Sequence, residues 1–188
     1  MRAAALALVV AVGCGGRELT VPSGPYPPND VGRLARMFDP ELRPLGLRLV
    51  RATLIDRTEG RYEKSDTGTH LALYAEPFEW TSADRAISNI VPLTRVFVPS
   101  VFEQWGGLKS FDICQEPSPA SNDDPEPPPV TQVTVYRGPV SDLDWSGMDL
   151  PDLIRASRTY PQELGVILSP VLRRSPRLQP LLEPSPTP

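Results

Sequence analysis

The chain has 188 residues, 40% of them hydrophobic and 22% charged, with 24 prolines; such a balance sustains one packed core and excludes a wholly disordered chain or two full domains. A formal net charge of −4, a pI near 5.1 and the absence of any basic cluster exclude nucleic acid as a partner. The single histidine excludes multi-histidine metal sites, and two cysteines allow at most one disulfide.

The first segment is read as an address rather than as fold. Met1-Arg2 precedes an apolar run, Ala3 to Val12, far shorter than the roughly 20 residues of a membrane-spanning helix but suited to the apolar region of a secretory signal. Ala11-Val12-Gly13-Cys14 resembles a bacterial lipobox, with Ala11 where Leu is commonest. Residues 1–13 are therefore expected to be a lipoprotein signal peptide, and Cys14 the lipidated residue that holds the chain to membrane lipid on the outer face of the cytoplasmic membrane. With Cys14 as a thioether, Cys114 is the sole thiol and no intrachain disulfide forms.

Residues 14–29 carry Pro22, Pro25, Pro27 and Pro28 without apolar periodicity and read as a tether. A single domain is expected over residues 30–170, interrupted by an acidic proline-rich loop at 117–129, and residues 171–188 read as a proline-rich tail. Within the domain, Asn29-Asp30 offers an N-cap to a helix built on Val31, Leu34, Ala35 and Phe38 and ending near Asp39-Pro40. Residues 45–56 alternate, but the apolar phase shifts after Leu49 to Val50, Ala52 and Leu54, which predicts a strand with a bulge. His70 to Glu76 alternates as its hairpin partner.

Thr81 and Asp84 fit a capping box opening a helix through Ile87, Ile90 and Val91. Pro92 is expected to break it, and Pro99 to kink or restart the following Val98–Trp105 stretch, which Gly106-Gly107 stops. Lys109–Glu116 and Val130–Arg137 read as a second pair of strands, Asp149-Leu150-Pro151 opens a short helix, and Glu163–Leu168 suggests a weak one. The expected fold is α+β: an antiparallel sheet of about four strands in two hairpins, packed by helices, with disordered proline-rich ends.

Candidate chemistry is sparse. Asp142, Asp144, Ser146 and Gly147 match the first positions of a calcium loop, but the position of the bidentate glutamate is Leu153 and a proline intrudes, so a polar turn followed by an Asp149 N-cap is the expectation. His70 has no adjacent nucleophile motif and reads as a partly buried strand histidine; Cys114, between Asp112 and Glu116, reads as an inert thiol. Tyr74, Phe78 and Trp80 beside Glu76 and Glu79 form a candidate aromatic platform for a sugar or peptide, with Tyr74, Glu76 and Trp80 the candidate ligand-binding residues. Neither catalytic residues nor a cofactor are expected.

The lipobox, the preference for Arg over Lys, and the segments Val91-Pro92-Leu93-Thr94-Arg95-Val96-Phe97, Phe111-Asp112-Ile113-Cys114-Gln115-Glu116-Pro117 and Pro128-Pro129-Val130-Thr131-Gln132 together resemble an uncharacterised family of actinobacterial lipoproteins. The resemblance spans about residues 70–155 and implies extracytoplasmic placement, with no activity. The functional expectation is a membrane-anchored, non-catalytic module that binds an envelope protein or small ligand. A carboxylate-based hydrolase acting on envelope polymer, on pairs such as Glu76 with Glu79 or Asp123 with Asp124, and a structural spacer are the alternatives.

Overall fold

The computed structural model describes residues 24–56, 63–64, 69–119 and 128–183. The expected signal peptide, Cys14, the first part of the tether, most of the 117–129 loop and residues 184–188 lie outside the described residues.

Helix α1 (Val31–Leu42) starts where expected: the Asp30 carboxylate accepts from Arg33 N at 3.2 Å. It does not end at Pro40. Leu42 extends the buried stripe of Leu34 and Phe38, and the lost Pro40 N–H frees only one carbonyl, at Arg36 on the exposed side. A 3-10 turn over Arg43–Leu45 and Gly46, at φ +76, then reverse the chain into β1 (Leu47–Asp56). The bulge lies at the predicted phase shift: Leu49 pairs with Ala75 and Arg51 with Tyr74, so Val50 is the extra residue. It keeps Leu47 and Leu49 on the same face as Ala52 and Leu54.

A two-residue strand β2 (Glu63–Lys64) flanks β1, and β3 (His70–Pro77) pairs with it antiparallel, as the hairpin expectation requires. Helix α2 (Ala83–Gln104) follows, capped by Ser82, whose hydroxyl accepts from Arg85 N at 3.2 Å, one residue beyond the predicted Thr81. It runs unbroken through Pro92 and Pro99. The prolines are seven residues apart and share a face; the carbonyls that lose their helical donor belong to the exposed Ser88 and Arg95, on the side open to solvent. The opposite face is buried through Ile87, Ile90, Phe97, Val98 and Val101, with the Phe97 ring 4.7 Å from that of Phe38.

That continuity changes the sheet. A helix of 22 residues is about 33 Å long, enough to return the chain to the starting end of β3, so β4 (Ser110–Gln115) pairs with β3 in parallel. The expected two separate antiparallel hairpins are instead joined by a crossover. β5 (Thr131–Tyr136) is antiparallel to β4. Helix α3 (Leu150–Thr159) is capped by Asp149, as expected, at 2.8 Å from Asp152 N. The segment read as a weak helix is strand β6 (Leu164–Leu168), antiparallel to β5; Gly165 disfavours a helix and the β-branched Val166 and Ile167 favour extension.

The fold class is α+β, as expected, but the sheet is mixed and has more than four strands, in the order β2-β1-β3-β4-β5-β6. The residues expected as an unstructured tail continue the fold. Pro170 and Pro180 sit in the first turns of the short helices α4 (Pro170–Arg173) and α5 (Gln179–Leu182), where a missing N–H costs nothing, and Leu172 and Leu178 join the core. The tether also docks at its distal part: Pro27 is buried and Gly107 N donates to Pro25 O at 3.0 Å.

Arg137 closes the C-terminal end of α2. Its guanidinium donates to the carbonyls of Leu108, Trp105 and Phe102 at 2.8, 2.9 and 3.2 Å, with the Phe102 ring centroid 4.7 Å away. Trp105 O also accepts from Leu108 N at 3.1 Å, and for the Phe102 and Leu108 carbonyls the cation does the work of a cap. Among the described residues no helix is long and apolar enough to cross a membrane.

Candidate functional site

The helices pack on the sheet face formed by Leu49, Leu54, Leu71, Leu73, Phe111, Ile113, Val133 and Val135. Strand alternation and register put a different set on the other face: Arg48, Arg51 and Thr53 on β1, His70, Tyr74 and Glu76 on β3, Ser110, Asp112, Cys114 and Glu116 on and just after β4, and Gln132 and Thr134 on β5. It is a polar face, and its centre is nevertheless buried.

At the starting ends of the parallel strands, His70 lies between two β4 side chains. Its Nδ1 is 2.8 Å from Ser110 Oγ and its Nε2 is 3.0 Å from Asp112 Oδ2. The sequence reading found no partner for His70; the parallel register sets it opposite Ser110 and beside Asp112. The histidine is wholly buried rather than partly, and Ser110 is 2% exposed. A neutral imidazole that donates to the carboxylate and accepts the serine O–H, or an imidazolium that donates to both, satisfies each nitrogen. The trio resembles a nucleophile relay in composition only: the serine hydroxyl faces the ring inside the protein, and the line serves to lock β3 to β4.

Further along the same face, Cys114 is buried and its thiol is pushed up to about 12, first by burial and then by the Asp112 carboxylate. It stays protonated at neutral pH and lacks the thiolate that a nucleophile or metal ligand needs. The Tyr74 hydroxyl is also raised, chiefly by burial and then by Cys114. The Arg51 guanidinium lies 3.7 Å from the Tyr74 ring centroid and bonds Glu116 Oε1 at 2.9 Å.

The carboxyl ends of β3 and β4 gather the most exposed chemistry. Arg48 grips Glu76 Oε1 through Nε at 2.8 Å and through a second guanidinium nitrogen. The glutamate side chain is 3% exposed and the arginine 49%. Beside them the turn into α2 exposes Phe78 by 47% and Trp80 by 76%, and the Arg48 guanidinium is 5.9 Å from the Phe78 ring centroid. Two loop contacts hold this corner: Phe78 N donates to Gly46 O at 3.2 Å and Thr81 N to Pro117 O at 3.3 Å.

The three candidate ligand-binding residues thus fall at one end. Tyr74 and Glu76 share the polar face and Trp80 stands in the adjoining turn, but Glu76 is turned inward onto Arg48 and its neighbour Glu79 is exposed. Glu76 and Glu116 are each committed to an arginine rather than placed as a facing acid and base. Sequence reasoning missed Arg48, Arg51, Ser110, Asp112 and Glu116. Asp123 and Asp124 lie outside the described residues.

The calcium candidates are placed elsewhere. Asp142 ends the 3-10 turn Pro139–Asp142, and Asp144 Oδ1 accepts from Ser146 Oγ at 2.6 Å, Ser146 N at 3.1 Å and Gly147 N at 3.3 Å. Those donors, led by the Ser146 hydroxyl, hold its carboxyl below the usual range. The oxygen serves the turn. Among the described residues no group of three His, Cys, Asp or Glu side chains is placed to hold a metal ion. The chain matches no protein-family model, no curated protein and no solved structure.

Proposed function

We propose that this chain is a lipid-anchored, envelope-facing, non-catalytic binding module, and that its ligand docks at the Arg48–Phe78–Trp80 corner. One observation carries the reading: a half-exposed arginine, its partner carboxylate buried behind it, has the exposed Phe78 ring 5.9 Å away, and the exposed Trp80 follows two residues on in the same turn. The rings offer flat apolar contact and the guanidinium offers planar donors, which suits a carboxylate-bearing peptide or sugar. Arg51, Tyr74 and Glu116 brace the corner from behind.

The placement of the tether supports this orientation. Pro25 is bonded at the C-terminal end of α2, and Trp80 precedes its N-terminus, so the helix, about 33 Å long, separates the entry of the tether from the corner. A lipid at Cys14 then leaves the corner facing away from the bilayer. Against a hydrolase stand the protonated Cys114 and the arginine-bound Glu76 and Glu116.

The test is in-cell photocrosslinking from position 80 in the full chain. A discrete adduct that is weakened in Arg48→Ala supports the reading, and the absence of any adduct that depends on Arg48 refutes it. Mass spectrometry of the mature N-terminus in wild type and in Cys14→Ser tests the anchor separately. An unmodified N-terminus removes the membrane placement without touching the corner.

A further inference from the structure

We propose that the outer edge of β6 captures the free C-terminus of another protein, bound as a short extended strand parallel to β6 with its carboxylate at Arg173. The inference does not rest on the corner described above.

β6 ends the strand order. Glu163 O accepts from Tyr136 N and Ser169 N donates to Val130 O, each at 2.8 Å, so backbone groups turn toward β5 at odd positions and outward at Leu164, Val166 and Leu168. Two outward groups are engaged within the chain: Leu164 N donates to Tyr160 O at 2.9 Å, and Leu168 O accepts from Arg173 Nε at 3.0 Å. Leu164 O, Val166 N, Val166 O and Leu168 N make no hydrogen bond to any described residue.

That open set matches a parallel strand, in which each bonded residue bridges two residues of its neighbour. One incoming residue donates to Leu164 O and accepts from Val166 N. The residue two further on donates to Val166 O and accepts from Leu168 N, and both are then fully bonded. An antiparallel strand would leave a carbonyl facing the engaged Leu164 N and an N–H facing the engaged Leu168 O. A second copy of β6 cannot take the parallel place: it would need two outward residues with both groups open, and only Val166 has them.

Charge selects what the strand ends in. A parallel strand runs toward Leu168, where Arg173 already holds the carbonyl and closes the edge to a longer ladder. The other nitrogens of Arg173 bond no described residue, and neither it nor the adjacent, equally exposed Arg174 has an acidic partner among the described residues. A chain that stops here presents a carboxylate: one oxygen takes the Leu168 N–H and the other meets the Arg173 guanidinium. The two bonded residues project on the face of Gly165 and Ile167. The terminal one stands beside Ile167, 52% exposed, which calls for an apolar last side chain. Leu164-Gly165-Val166-Ile167-Leu168 itself contains no charge and no proline, the devices that guard a solvent-facing edge.

The test is peptide binding to the full chain in mild detergent. The probe is a pool of short synthetic peptides, randomised except for a C-terminal valine with a free carboxylate; those retained by the immobilised chain are identified by mass spectrometry and titrated singly by fluorescence anisotropy. Amidating the carboxylate is expected to weaken binding by about tenfold or more, as is methylating the nitrogen of the last or the third-from-last residue. Methylating the nitrogen between them, which points away from β6, should cost little. Arg173→Met is expected to erase the difference between acid and amide, and Arg48→Ala to leave binding unchanged. No retained peptide, equal binding of acid and amide, indifference to methylation, or binding lost with Arg48 and kept without Arg173 overturns the proposal. So does a wild type that dimerises in sedimentation equilibrium and is made monomeric by Ile167→Lys, since the edge then belongs to a second copy.

Discussion

Cys114 offers the sharpest test of the buried polar face, because its behaviour is fixed by the groups around it. Its thiol is raised from an ordinary 9.0 to about 12, by burial first and by Asp112 next, with Arg51 opposing them. At pH 8 a group at about 12 is thiolate in roughly one molecule in ten thousand, against about one in eleven for an unfolded cysteine. Thiol reagents attack the thiolate, so native Cys114 should label about a thousandfold more slowly than the same residue in denaturant, before its burial slows access further. The assay is the rate of reaction with a chromogenic disulfide in the Cys14→Ser chain, where Cys114 is the one remaining thiol.

The same shift bears on stability. The folded value lies above the unfolded one, so the contribution is fully present below about pH 9 and is lost as pH rises toward about 12. Urea midpoints should fall between about pH 9 and 11 with an extra slope of up to about 1.4 kcal/mol per pH unit from this proton. Cys114→Ala should show a shallower slope, and the difference reports the thiol together with its coupling to Tyr74. Native labelling at the free-thiol rate, or equal alkaline slopes in the two chains, would refute the argument.

Other substitutions probe separate parts of the fold. Arg137→Met leaves the Phe102 and Leu108 carbonyls without a donor and Trp105 O with Leu108 N alone, and should lower unfolding free energy by about 2–4 kcal/mol, with little rescue by Arg137→Lys, whose single ammonium cannot span them. Arg51→Met takes an ion-pair partner from a carboxylate whose side chain is 3% exposed and should cost about 2–4 kcal/mol; adding Glu116→Gln should recover part of that in a double-mutant cycle by chemical denaturation. In Gly107→Ala the new Cβ would meet the Tyr26 ring at 2.8 Å and Gly24 O at 2.9 Å, so residues 24–28 should lift off and become sites of limited proteolysis, mapped by mass spectrometry. Millimolar calcium should leave the thermal midpoints of wild type and Asp144→Ala unmoved, because Asp144 Oδ1 is occupied by its turn.

What the sequence discloses and what it hides divide along a physical line. The Asp30 and Asp149 caps, the bulge after Leu49 and the strands around His70–Glu76, Lys109–Glu116 and Val130–Arg137 were legible because each depends on neighbours in sequence. The parallel pairing of β3 with β4 was not, since it depends on whether α2 survives Pro92 and Pro99. That in turn depends on which face the two prolines share, a tertiary matter that local propensity does not contain. The polar face followed the same rule. Ser110, Asp112, Cys114 and Glu116 alternate with Phe111, Ile113 and Gln115, so their common side could be read from the strand alone; that His70 would meet the first two needed the register. A buried strand face with a charged or polar residue at every second position is itself a signal: such residues are costly to bury singly, and a run of them implies partners on the adjacent strand. Applied to β3 and β1, that reasoning points to the Arg48–Glu76 pair as well, since an arginine and a glutamate at directly opposed positions on one face of a hairpin satisfy each other. The exposed Phe78 and Trp80 rings have no such internal account, which is why the proposed docking site is placed at that corner and not along the buried line through His70.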